Sequence, residues 1–232
     1  MTTPNFLRRL AVMATALSGL VSAPAVLASG PSVALDTFPV TKVNDVAALQ
    51  NGAKVFMNYC LGCHSISQVR YNKLRDLGLS EEQIKGNLML TQAKFGDPIL
   101  TTLPLKGAKE WFGKAPPDLS LTARSRSSGA GTGGDWIYTY MRTYYEDTAR
   151  PTGWNNKVYP AVGMPHVLWE LQKTLPKSDY DNLVADLTGF LVWVAEPVAQ
   201  ARKQVGVWVL LFLALFFVFA WRLNAAFWKD IK

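Results

Sequence analysis

Asn51-Gly-Ala-Lys-Val-Phe-Met-Asn-Tyr-Cys60-Leu-Gly-Cys-His64 decides how the rest of the chain is read. Asn44 or Asp45 can cap a helix that begins at Val46 and runs directly into Cys60. Val46, Leu49, Ala53, Phe56 and Tyr59 recur at three- to four-residue spacing and mark its apolar stripe. The helix ends in Cys-x-x-Cys-His. Thiols at that spacing can each form a thioether with a haem vinyl group, and the imidazole of the next residue reaches the iron. Other uses of the pair fit poorly. A disulfide oxidoreductase sets its first cysteine at a helix N-terminus, which lowers the thiol pKa; here the pair follows a helix. Zinc needs four ligands, and His166 is the one further Cys or His in the chain. A structural disulfide leaves His64 unexplained. The motif therefore predicts one covalent haem c, held by Cys60 and Cys63 with His64 as proximal iron ligand.

An electron carrier keeps its iron six-coordinate, and a His/Met pair raises the potential. The candidates are Met57, Met89, Met141 and Met164. Met57 shares the helix of the cysteines and cannot reach back. Met89 and Met141 read as helix-face core residues, the usual use of methionine. Met164 sits in Ala-Val-Gly-Met-Pro-His, a loop opened by Gly163 and stiffened by Pro165. It is the favoured sixth ligand, and His166 in the same loop is its rival. An open iron position would instead suit a peroxidase.

The ends of this 232-residue chain carry much of its 49% hydrophobic content. Arg8 and Arg9 precede an uncharged apolar run at residues 10–21, and Ala23-Pro-Ala25 and Val26-Leu-Ala28 offer small-residue cleavage sites. Residues 1–28 thus read as an export signal. Residues 205–221 form a second uncharged run, with Trp208, Trp221 and Trp228 placed to suit the membrane interfaces. It reads as a membrane span over residues 201–223, with a basic cytoplasmic tail at 224–232. The exported, periplasmic body is residues 29–200. The formal charge of +7 falls to about +3 once the leader and tail are set aside, so the body carries no nucleic-acid footprint.

Within the body, residues 71–77 and 80–92 read as short helices, the second opened by a Ser80/Gln83 capping box. Residues 95–134 read as loop, with 127–134 a flexible Gly/Ser insertion. Residues 135–145 form an aromatic helix. Ser178 caps a helix over 179–195 with Leu183, Leu187, Phe190, Leu191 and Val194 inside. Pro197 kinks the chain before the span. No strand series emerges. The fold class is mostly α with loop insertions, plus one C-terminal transmembrane helix.

Five pieces in this order resemble the cytochrome c1 family, the haem subunits of cytochrome bc1 (ubiquinol–cytochrome c reductase) complexes. They are the Asn51–His64 stretch, Arg70-Tyr-Asn72, Ala115-Pro-Pro-Asp-Leu-Ser120, Val162-Gly-Met-Pro165, and Phe190-Leu-Val-Trp-Val-Ala-Glu-Pro197 ahead of the anchor. The resemblance implies a class I cytochrome c fold with loop insertions, and that Met164 is the axial methionine. It implies that the carbonyl of Pro116 or Pro117 accepts the second N–H of the proximal histidine, and that Arg126 lies near a haem propionate. It implies that Tyr71 and Asn72 line the haem pocket. The partners it implies are cytochrome b, a Rieske iron–sulfur protein as electron donor, and a soluble or tethered c-type cytochrome as acceptor. The implied location is a bacterial inner membrane, crossed once, with the haem domain on the periplasmic side. Mitochondrial members carry acidic stretches that meet a basic cytochrome c. This slightly basic body has none, which points to an acidic or membrane-bound acceptor.

Overall fold

A computed structural model describes residues 33–229. The leader expected at residues 1–28 and the last three tail residues lie outside the described residues. The body is helical around one crossing. Helix α1 (Val46–Val55) is capped by Asp45, whose carboxylate accepts from Ala47 N and Ala48 N at 3.0 and 3.2 Å. It continues as a π-helical turn over Phe56–Cys60, closed by Leu61 N donating to Phe56 O.

The expected stripe holds in its middle and is corrected at its two ends. Leu49, Ala53 and Phe56 are buried, but Val46 and Tyr59 are exposed. A π-turn adds a residue to the helical period and rotates the inward face, so Met57 and Cys60 turn in and Tyr59 turns out.

After the haem motif, β1 (Ile66–Arg70) pairs antiparallel with β2 (Pro98–Ile99). Between them lie a 3₁₀ segment (Tyr71–Leu77) and α2 (Glu81–Asn87). The Ser80/Gln83 capping box is present, but α2 stops well before residue 92. Gly86 and Asn87 are both poor helix formers. The stretch expected as loop holds α3 (Leu105–Phe112) and α4 (Thr122–Ser125).

Helix α5 (Gly133–Arg142) begins inside the segment expected to be flexible. Its Thr132 cap and Asp135 exchange hydrogen bonds, and Gly133 lies so close to α4 that a Cβ there would meet Ala123 O at 2.0 Å. Gly133 is thus a packing residue. β3 (Tyr144–Glu146) and β4 (Trp154–Asn156) form a second antiparallel pair. These strands are two to five residues long, too short for alternation to show.

Helix α6 (Trp169–Thr174) leads into α7 (Lys177–Ala195). The expected cap at Ser178 is displaced: Pro176 holds the N-cap position, its carbonyl already accepting from Asp179 N and Tyr180 N. Helix α7 buries Tyr180, Val184, Leu187, Phe190, Leu191, Trp193 and Val194, and crosses α1 at Gly52. Lys42 and Asn51 both reach Asp186 of α7, each at 2.7 Å. The chain breaks at residues 196–198 before α8 (Ala199–Phe227). This 29-residue helix has a mean hydropathy of 2.3 in its most apolar window and none of that window is buried. At 1.5 Å per residue it spans about 43 Å, long enough to cross a bilayer.

Candidate haem site

The π-turn delivers Cys60 to a tight turn in which Cys63 N and His64 N both donate to Cys60 O, at 3.0 and 2.8 Å. The two cysteines are free thiols; Cys60 is buried and Cys63 half-buried. Burial first, and then the neighbouring Cys63, push the Cys60 thiol up to about 12. A thiol held neutral is unsuited to disulfide exchange, which uses the thiolate.

The imidazole of His64 is anchored. Its Nδ1 lies 2.7 Å from Pro117 O. A carbonyl only accepts, so Nδ1 carries the proton and Nε2 keeps its lone pair for a metal. Burial lowers the His64 pKa against the raising effects of the Pro117 carbonyl and Asp118, which keeps the ring neutral as a ligand requires. Of the two prolines implied, Pro117 makes this bond. Pro116 instead lines a small cavity with Cys63, Ser65, Leu103 and Ala108.

Met164 is half-buried in a loop fixed from three sides. Asn156, fully buried, donates to Tyr140 O at 2.7 Å and accepts from Val158 N and Tyr159 N. Asn155 Oδ1 accepts from Ala161 N at 2.9 Å, and Arg150 Nη2 donates to Ala161 O at 3.0 Å. Ala161 itself sits at φ 60°, a left-handed conformation the surrounding bonds must hold. The Tyr140 hydroxyl contacts Met164 Sδ at 3.5 Å and the Tyr144 hydroxyl at 2.6 Å.

His166 is differently placed. It is 1% exposed, stacked on Tyr144 at 4.6 Å and edge-on to Trp154, with Nε2 bonded to Gln172 Oε1. Met57 and Met141 are buried core residues, and Met89, just past the end of α2, packs against the core.

Arg126 is exposed. Its guanidinium lies 4.4 Å over the Trp136 ring and 5.7 Å over Tyr159, and Trp136 stacks on Tyr140. It makes no ion pair with another described residue. The stacked guanidinium leaves its N–H edge able to meet a carboxylate. Tyr71 is fully buried and Asn72 exposed; their backbone N–H groups bond to Asp97 O and Phe95 O. No hydrogen bond joins either residue to Cys60, His64 or Met164 among the described residues.

Sequence reasoning missed Tyr140, Tyr144, Asn155 and Asn156. The Asn155-Asn156 pair in an otherwise loop-like stretch was the available signal. Two free thiols beside an imidazole with an open Nε2 suit the attachment of haem c, and the thioether of Met164 and the guanidinium of Arg126 are of the kinds that serve as a second ligand and a propionate partner.

A model of the Cytochrome C1 family matches residues 37–231. Cytochrome c1 of Allochromatium vinosum is 40% identical, over 95% of this chain and 98% of its own length. A Nitrosomonas europaea protein named ammonia monooxygenase gamma subunit is also 40% identical, over 88% and 91%. Cytochrome b/c1 of Bradyrhizobium diazoefficiens is 28% identical over 80% of this chain, which spans 34% of that longer protein.

Proposed function

The chain belongs to the cytochrome c1 family, and from that premise we propose that it takes single electrons from a Rieske iron–sulfur protein and passes them to a c-type cytochrome. It is a haem-carrying electron-transfer subunit of a cytochrome bc1 complex with cytochrome b, held by one membrane helix. The observation that carries the reading is the His64–Pro117 bond. It leaves Nε2 free in a chain that also pins a thioether at Met164.

In the proposal Cys60 and Cys63 hold the group covalently, and His64 and Met164 supply the axial ligands. Arg126 faces a propionate, and Tyr71 and Asn72 belong to the segment that lines the pocket. Haem bound there supplies one reversible electron at iron. The chain's own residues make and break no bond: they fix the group, exclude water and set the ligand field. The body faces the periplasm and the residues after α8 face the cytoplasm.

The name of the Nitrosomonas relative motivates a second reading, a subunit of a monooxygenase assembly. Purification in mild detergent separates the two. Cytochrome b and a Rieske protein recovered with this chain, with quinol-driven reduction of a c-type cytochrome, support the proposal. Monooxygenase subunits in their place would overturn it.

A further inference from the structure

We infer that Asp118 is a positioning residue for the proximal ligand: its carboxylate holds the Pro117 carbonyl against His64 Nδ1 and so sets how strongly the imidazole donates to iron. The inference rests on the haem reading above.

Pro116 and Pro117 have no backbone N–H, so this stretch of loop cannot tie itself down by its own donors. The attachment comes from the residue that follows. Asp118 Oδ1 accepts from Ser120 N at 2.8 Å and closes a turn within the loop. Asp118 Oδ2 accepts from Ser67 N at 2.9 Å, on β1, three residues beyond His64. One carboxylate thus joins the strand that leaves His64 to the loop that carries Pro117. Leu119 N to Ser65 O at 2.8 Å and Gln68 N to Ser120 Oγ at 3.1 Å extend the seam on the far side of Asp118.

The residue is exposed and makes no ion pair with another described residue. Both its oxygens are spent on backbone N–H groups. Burial pushes its carboxyl up, but the hydrogen bonds from Ser120 and Ser67 outweigh that and hold it below the usual carboxylate range, so it accepts as an anion.

A carbonyl held at 2.7 Å polarises the Nδ1–H bond, makes the ring a stronger donor through Nε2 and favours ferric iron. Without the carboxylate the loop keeps its attachments at Leu119 and Ser120 but loses the one next to the prolines, so the Pro117 carbonyl is held less closely, the bond lengthens and the donor weakens.

The test uses the full-length protein in detergent. The midpoint potential is measured with Met164 in place. The ferrous iron–histidine stretch is read by resonance Raman in a Met164→Leu background, where iron is five-coordinate. Asp118→Ala should lower the stretching frequency and raise the potential. Asp118→Asn keeps one acceptor oxygen and should fall between. If Asp118→Ala does not accumulate, Asp118→Asn alone carries the test, and wild-type values for both quantities in it overturn the inference. A potential raised equally in both variants with an unchanged stretch also overturns it, because Asp118 would then act by charge. Absence of covalent haem from the wild-type protein would instead remove the haem reading itself.

Discussion

The carbonyl oxygen of Asp186 occupies the space beside Gly52: a Cβ on that glycine would lie 2.1 Å from it and 2.7 Å from Phe190 Cβ. Helices α1 and α7 approach through this point, and the Phe56 and Phe190 rings meet one turn away at 5.8 Å. The obstacle to any side chain is backbone, which cannot rotate aside. Gly52→Ala should force the helices apart, cost about 2 kcal/mol and lower Tm by roughly 4–8 °C. Gly86, on α2 with open space around it, is the control. Gly86→Ala should raise stability by up to about 1 kcal/mol. Thermal unfolding of the two variants checks both signs.

The thioether assignment has a direct chemical test. Covalent haem survives denaturation, so the wild-type chain should stain for haem on a denaturing gel. Cys60→Ser with Cys63→Ser should abolish the stain. A stained double variant would remove the proposed attachment.

Met164 and His166 lie two residues apart but differ in what already engages them. Met164 Sδ meets a tyrosine hydroxyl, whereas His166 is stacked on Tyr144, edge-on to Trp154 and bonded to Gln172. Met164→Leu should abolish the near-infrared band of sulfur-ligated ferric haem, lower the potential and open the iron to carbon monoxide. His166→Ala should keep the band, yet destabilise the fold by stripping Gln172 and the Tyr144 face. Loss of the band in the histidine variant alone would exchange their roles.

Parts of this chain are legible in sequence because they are local. Asp45 before an apolar run and Ser80 with Gln83 identify helix starts, since a cap needs three or four residues of context. Cys60, Cys63, His64 and Met164 could be nominated because their chemistry is rare. Most of the groups that hold them could not, the proline carbonyl that the resemblance supplied being the exception. Asp118 bonds to Ser67 and Asn156 to Tyr140 across 51 and 16 residues, which spacing does not reveal. The π-turn at Phe56–Cys60 has no composition signature, so the inward face was misjudged at Tyr59; Val46, the first residue of α1, is exposed independently of that turn. Gly133 was read as freedom of the backbone, while its use is the absence of a Cβ against Ala123.

Acid should weaken the body through a network on α5 and α7. Arg142 Nε and Nη2 donate to the two oxygens of Asp181 at 2.6 and 2.8 Å, and Arg142 Nη1 to Asp36 at 2.7 Å. Burial pushes the Asp181 carboxyl up, but the bonds from Arg142 and Lys177 outweigh it and hold it below its ordinary range. A folded-state value below the unfolded one stabilises the fold above about pH 4, and that contribution drains away as pH falls further. Arg142→Gln removes the group that holds Asp181 down. The variant should be less stable at neutral pH, and the gap should narrow as pH falls below about 4. Thermal unfolding across pH at fixed ionic strength measures it; a gap that widens in acid contradicts the assignment.

The anchor should be separable from the body. Every described residue of α8 is exposed or half-exposed, and none contributes to the core. The body's last core residues, Trp193, Val194 and Ala195, lie before the break. Two polar contacts between side chains cross the junction among the described residues: Gln200 to Asn44 and Arg202 to Glu196. A chain stopped after Gln200 keeps the first and loses the second, and an exposed ion pair is worth about 0–1 kcal/mol. The truncated chain should therefore fold and carry haem, and should move from the membrane pellet to the soluble fraction. Its haem spectrum should match that of the full chain, since no hydrogen bond or ion pair joins a described residue of α8 to Cys60, His64 or Met164. Retention in the pellet would show that a second segment binds the membrane, and residues 1–28, left uncleaved, are the apolar stretch that could do so.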